Sequence, residues 1–118
     1  MPSAFPAAPG IEVTPAQTEQ AIADDTAILV DVREGYEWEA GHVAGARHVE
    51  LERLASASDA LPVDTTIIVC CRLGARSAMA AQALRGAGFD AWSLAGGLVR
   101  WHDEARPLVP DGATVADH

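Results

Sequence analysis

Thr66-Ile67-Ile68-Val69-Cys70, followed without a break by Cys71-Arg72-Leu73-Gly74-Ala75-Arg76, sets an apolar, β-branched run against a short glycine-containing turn. An Ala-rich stretch from Ser77 to Ala87 comes next, so the order is strand, loop, helix. A continuous apolar run without polar alternation is what a strand needs when helices cover both faces of a parallel sheet. Ala27 to Val32 is a second run of the same kind, and a short acidic helix follows it around Glu34 to Ala40. Further out, Ile11 to Val13 reads as a first short strand, with Thr14 as N-cap and Pro15 opening a helix to Ala23. His48 to Leu51 reads as another short strand, and Leu51 to Ala57 as a turn or two of helix. Gly88 is placed as the C-cap glycine of the Ser77 to Ala87 helix, with Phe89 folding back on it. Ala91 to Leu94 is a last strand, after which Gly96-Gly97 opens a helix carrying Leu98, Val99 and Trp101. The alternation is β-α-β-α, an α/β domain with helices packed on a sheet.

The chain has 118 residues, 49% of them apolar, enough for one core and too few for two domains. The folded part is expected over residues 11–105. Residues 1–10 and 106–118, rich in Pro, Gly and small side chains, are expected to be loosely ordered tails. The two cysteines, Cys70 and Cys71, are sequence neighbours and cannot staple a fold, which favours a reducing, cytoplasmic setting. Met1 to Gly10 has no basic, apolar leader pattern, and no run is long enough to span a bilayer. Net charge is −9, and all eight basic residues are arginine. Such a field repels polyanions, so neither nucleic acid nor an anionic membrane is an expected partner. Any bound anion must be held by local donors.

Cys71 offers such a place. It lies where a strand ends and a helix begins, the edge at which open α/β sheets bind ligands. Gly74 can take φ > 0 and turn successive backbone N–H groups inward as an anion-binding nest. The helix start, Arg72 and Arg76 add positive potential, a setting that favours thiolate over thiol and so a nucleophile. A buried structural cysteine would leave the glycine and both arginines of the same turn unexplained. Cys70, pointing the opposite way along the strand, is assigned to the core.

Four blocks, Cys71-Arg-x-Gly-x-Arg76, Asp31-Val32-Arg33-Glu34, Gly41-His42-Val43-x-Gly45-Ala46 and Leu94-x-Gly96-Gly97 with Trp101, occur in this order over about residues 11 to 102. In these the chain resembles the single-domain rhodaneses. The resemblance implies a central parallel sheet of about five strands flanked by helices. It also implies that Cys71 takes the outer sulfur of a donor such as thiosulfate as a persulfide and passes it to a thiophilic acceptor, small or carried on a protein, without a cofactor. Arg72, Leu73, Gly74, Ala75 and Arg76 are then the substrate-binding loop. Arg76 either fixes the loop or receives the leaving anion, and Arg72 either meets substrate at the pocket mouth or is a solvated arginine. Three departures from the common pattern are Cys70 in place of an aromatic, His48 in place of asparagine, and the apolar Leu73.

Related phosphatases and arsenate reductases carry five residues between Cys and Arg, whereas four stand between Cys71 and Arg76. The shorter loop favours sulfur chemistry, and retention of the cysteine and both arginines argues against a purely binding module. Asp31 and Glu34 have capping-box spacing, which is preferred for Asp31 over a hydrogen bond to the active loop. Glu34 to Glu39 reads as a solvated face. His42, His48, His102 and His118 show no metal-ligand spacing, so no metal site is assigned. Trp38, Trp92 and Trp101 are assigned to packing. Gly96-Gly97 serves either a close backbone approach or a tight turn.

Overall fold

The computed structural model describes residues 3–6 and 8–118. The strands are β1 (Glu12–Val13), β2 (Ala27–Asp31), β3 (Arg47–His48), β4 (Thr66–Cys70) and β5 (Ala91–Leu94), and the helices are α1 (Pro15–Ala23), α2 (Gly35–Ala40), α3 (Leu54–Ala57), α4 (Ala75–Gly86) and α5 (Gly97–Asp103). All strand pairs are parallel, in the order β1-β5-β4-β2-β3. The two apolar runs sit side by side at the centre, Ala27 to Asp31 against Thr66 to Cys70. Their side chains alternate between two cores. Val30, Ile67, Val69 and Cys71 pack with Ala80, Ala81 and Leu84 of α4 on one face. Leu29, Ile68 and Cys70 pack with Ala21 of α1 and with Leu98 and Trp101 of α5 on the other. Burial on both faces is why these strands carry no polar alternation.

Local signals act where they were read. Gln17 N–H donates to Thr14 Oγ1 at 3.1 Å and Thr14 N–H to Gln17 Oε1 at 2.8 Å, a reciprocal capping box. Gly88 has φ +97°, and the N–H groups of Gly88 and Phe89 reach the carbonyls of Arg85 and Leu84, a Schellman ending that buries Phe89. Two boundaries differ. The strand expected at His48 to Leu51 is Arg47–His48, because the chain peels from β2 into a 3-10 turn over Leu51–Arg53, although Val49 and Leu51 N–H still bond Asp31 and Val32 carbonyls. Helix α4 starts at Ala75, two residues before the expected Ser77, so Arg76 belongs to its first turn.

The ends are packed. Ala4 N–H donates to Thr66 Oγ1 at 2.8 Å and Phe5 meets Trp92 edge-on at 5.4 Å; Met1, Pro2 and Ala7 lie outside the described residues. Past α5, Trp101 Nε1 donates to the Pro107 carbonyl at 2.9 Å, Val109 forms an antiparallel bridge with His42, and Thr114 N–H donates to the Ala40 carbonyl at 3.0 Å. Leu108 and Val115 rest on the α1/α5 core. Residues 106–118 are therefore a strap over α2 rather than a loose tail. Its prolines prevent regular structure, but its apolar side chains still find a surface to bury.

Candidate active site

Cys71 follows β4 directly, its side chain on the α4 face of the sheet and the residue 1% exposed. The loop turns at Gly74, with φ +112°, a conformation that costs glycine little. This turn brings Gly74 N–H to 3.1 Å from Cys71 Sγ, and Ser77 N–H, one of the first-turn donors a helix leaves free, to 3.4 Å. Ser77 Oγ lies 3.5 Å from Sγ, 3.1 Å from the Gly74 carbonyl and 2.7 Å from Ser93 Oγ of β5, all buried. Sγ thus faces two backbone N–H donors on the protein side. In front of it is a cavity of about 310 Å³ lined by Cys71, Arg72, Leu73, Ala75, Arg76 and His118.

The loop is held from two further sides. Leu98 and Val99 N–H groups, at the start of α5, donate to the Cys71 and Arg72 carbonyls at 2.9 and 3.1 Å. Gly96 and Gly97 both have positive φ, and a β-carbon at Gly97 would strike the Arg72 carbonyl group and lie 2.7 Å from the Cys71 carbonyl oxygen. The glycine pair therefore serves both the turn and the close approach. Gly97→Ala is expected to destabilise by about 1–3 kcal/mol and to depress loop chemistry. Gly86→Ala, where a β-carbon meets open space, should stay within about 1 kcal/mol of the parent. Thermal unfolding of the two variants distinguishes a backbone contact from generic glycine loss.

On the other side Arg76 grips Glu37 of α2 with its planar fork, Nη1 to Oε1 at 2.9 Å and Nη2 to Oε2 at 3.0 Å. Glu37 is fully buried, correcting the reading of Glu34 to Glu39 as one solvated face. Burial alone would raise its carboxyl, but hydrogen bonds from Arg76 and from Glu34 N–H, together with the Arg76 charge, hold it below the ordinary carboxylate range. The same bonds raise Arg76 above its ordinary value. Arg76 thereby ties the first turn of α4 to α2. Arg72 Nη2 meets Asp117 Oδ1 at 3.2 Å at the cavity mouth.

Asp31 does not cap α2. It is fully buried and takes Arg33 in a bidentate pair, Nε to Oδ1 at 2.9 Å and Nη2 to Oδ2 at 2.8 Å, while Arg33 Nη2 also reaches the Gly41 carbonyl at 2.7 Å. This pair anchors the β2–α2 corner from which Glu37 projects. Cys70 is fully buried in the core, where burial pushes its thiol well above its ordinary value and the Asp31 carboxylate adds to the effect. His42 and His48 both stack on Trp38, with ring centroids 3.6 and 4.8 Å away. Glu34, Glu37 and His118 place donor atoms within 4.8 Å of one another, but the Arg76 guanidinium already sits on both Glu37 oxygens, where it would repel a cation. Glu37, Ser77, Ser93 and His118 are the site residues the sequence reading did not single out.

A cysteine cradled by N–H donors in a six-residue loop, at the carboxyl edge of a five-stranded parallel sheet, defines a rhodanese-type site. The Rhodanese-like domain profile matches residues 14–104, and the chain belongs to that family. It is 38% identical over 88 residues to the thiosulfate sulfurtransferase GlpE of Pseudomonas fluorescens, covering 74% of this chain and 81% of that protein. It is 35% identical over 105 residues to the probable adenylyltransferase/sulfurtransferase MoeZ of Mycobacterium tuberculosis, covering 86% of this chain but only 27% of that longer protein. A rhodanese-related protein from Thermoplasma volcanium superposes with a TM-score of 0.79 at 27% identity, covering 85% of this chain and 98% of the other. Among the described residues no helix is long and apolar enough to cross a membrane.

Proposed function

We propose that this chain is a sulfurtransferase that carries sulfane sulfur as a persulfide on Cys71, with thiosulfate as a competent donor. The Cys71 thiolate attacks the outer sulfur, the donor S–S bond breaks, and sulfite leaves with the electron pair. A thiophilic acceptor then takes the outer sulfur and returns Cys71 to thiolate. The observation that carries this reading is the convergence of Gly74 and Ser77 N–H groups on Sγ at the floor of the loop cavity. Such donors offset the anionic charge of the persulfide and of the leaving group. Kinship with thiosulfate sulfurtransferases supports the donor class. Both cysteines are free thiols, which suits a reducing, cytoplasmic setting. Leu73, beside the nucleophile and 58% exposed, favours a second form of the reading, a relay whose acceptor is carried on a protein.

Intact mass after incubation with thiosulfate tests the proposal: one added sulfur, removed by cyanide, is expected. The same loop predicts discrimination against phosphoryl chemistry. Four residues between Cys71 and Arg76 converge donors too tightly to surround the equatorial oxygens of a phosphoryl group under in-line attack. Turnover of aryl phosphates and arsenate should be undetectable. One glycine inserted between Leu73 and Arg76 should weaken sulfur transfer. Efficient aryl phosphate hydrolysis by the parent, lost in Cys71→Ser, would overturn the sulfur assignment.

A further inference from the structure

Delivering sulfur to a thiol requires that the thiol lose its proton, and nothing in the loop from Cys71 to Arg76 can take it. Arginines stay protonated and backbone N–H groups only donate. Ordinary thiols, with pKa near about 8.5, are mostly protonated at neutral pH. A base must come from outside the loop.

The C-terminal strap brings one. His118 lines the same cavity as Cys71, Arg72 and Arg76, and its side chain is 48% exposed, open to an incoming acceptor. Its Nδ1 lies 3.2 Å from Glu37 Oε1 and 3.4 Å from Glu34 Oε2. Ionised carboxylates only accept, so Nδ1 is the protonated nitrogen and Nε2 of the neutral ring carries the free lone pair. Glu37 is itself fixed by the Arg76 fork, which makes it a rigid orienting group for the ring. The strap is anchored just before this position, by the Asp117 pair with Arg72 and by Thr114 N–H on the Ala40 carbonyl. The histidine is thus held at the cavity mouth by contacts that do not involve its Nε2.

We propose that His118, oriented by Glu37, is the general base that deprotonates a thiol acceptor at this site. The proposal rests on the persulfide reading above. The acceptor S–H passes its proton to His118 Nε2, and the resulting thiolate attacks the outer sulfur of the Cys71 persulfide. The persulfide S–S bond breaks as the acceptor S–S bond forms. The acceptor sulfur is oxidised, Cys71 Sγ is reduced to thiolate, and the proton leaves His118 to solvent. Acceptors that bring no proton, such as the sulfite dianion, bypass the base.

The experiment loads Cys71 with thiosulfate and follows loss of the persulfide by intact mass, with 2-mercaptoethanol or sulfite as acceptor, in the parent, His118→Ala and His118→Gln. In both variants the ratio of thiol to sulfite discharge rates should fall by about 10–100-fold, the lower end of what general bases contribute. Free imidazole should restore the ratio in His118→Ala. An unchanged ratio, or equal slowing with both acceptors and no imidazole rescue, would overturn the role of His118 while leaving the persulfide intact. A parent protein that takes up no sulfur from thiosulfate would instead overturn the sulfurtransferase reading, and this proposal with it.

Discussion

Cys71→Ser is expected to take up no sulfur from thiosulfate and to lower transfer to cyanide by at least about a thousandfold, as removal of a nucleophile does elsewhere. The fold should survive. The loop around Sγ is polar, and a hydroxyl can accept the same Gly74 and Ser77 N–H bonds that the sulfur accepts. An unfolding transition close to that of the parent, together with lost loading, separates chemistry from stability. Cys70→Ala supplies the contrast. Cys70 lies in the opposite core, against the α1 and α5 side chains, so its truncation should cost about 1–2 kcal/mol of stability and leave loading essentially intact. Loading lost with Cys70→Ala and kept with Cys71→Ser would reverse the assignment of the nucleophile.

The strand-to-loop position of Cys71 was legible because its signal is local. A strand buried on both faces shows itself as an unbroken apolar run, and a reactive loop shows its chemistry in residue types only a few positions apart. Thr14 with Gln17, and Gly88 with Phe89, were readable for the same reason: each motif closes within a few residues. Where reading failed, the partner was distant or the local pattern had two solutions. Asp31 and Glu34 have capping spacing, but the Asp31 carboxylate is buried at the end of β2, where Arg33 two residues on gives it a charged partner that water no longer can.

Glu37 is the instructive miss. Glu34, Glu37 and Glu39 look alike in a short acidic helix, yet only Glu37 turns towards a cation that lies 39 residues later in sequence. Spacing on α2 carries no trace of that pairing, because it is made by the β2–β4 neighbourhood that brings α2 and α4 to one edge of the sheet. His118 was set aside for a related reason. Composition marks the last segment as irregular, and irregular was read as loose. The strap's hydrogen bonds to Ala40, His42 and Trp101 follow from tertiary placement alone.

Removing Arg76 is expected to harm the protein more than removing the charge of Glu37, because the two partners are buried unequally. The Glu37 side chain is 0% exposed and that of Arg76 19%. Arg76→Ala leaves a buried carboxylate with only its Glu34 N–H and His118 partners, at a cost of about 3 kcal/mol, a large part of the stability of a domain this size. Glu37→Gln keeps a hydrogen-bonding side chain of the same shape and lets the guanidinium turn towards solvent, at a cost nearer about 1–2 kcal/mol. The double variant should therefore be more stable than Arg76→Ala alone. pH gives different slopes. In the parent the folded Glu37 titrates below the ordinary carboxylate value. Between those two values the unfolded chain binds the extra proton, so the contribution of Glu37 is complete above about pH 4.3 and is lost as pH falls through the folded value. In Arg76→Ala the carboxyl loses its guanidinium but keeps the Glu34 N–H and His118 Nδ1 bonds, so it rises relative to the parent and the stability lost as pH falls towards about 4.3 should shrink. Denaturant unfolding of both proteins across that range checks the slopes. Sulfur loading by Arg76→Ala at neutral pH should drop by about a hundredfold, as expected when loop donors move by an ångström or so relative to the reacting sulfur. Parallel slopes, with loading unimpaired, would mean that the Arg76 fork holds neither the loop nor the carboxylate.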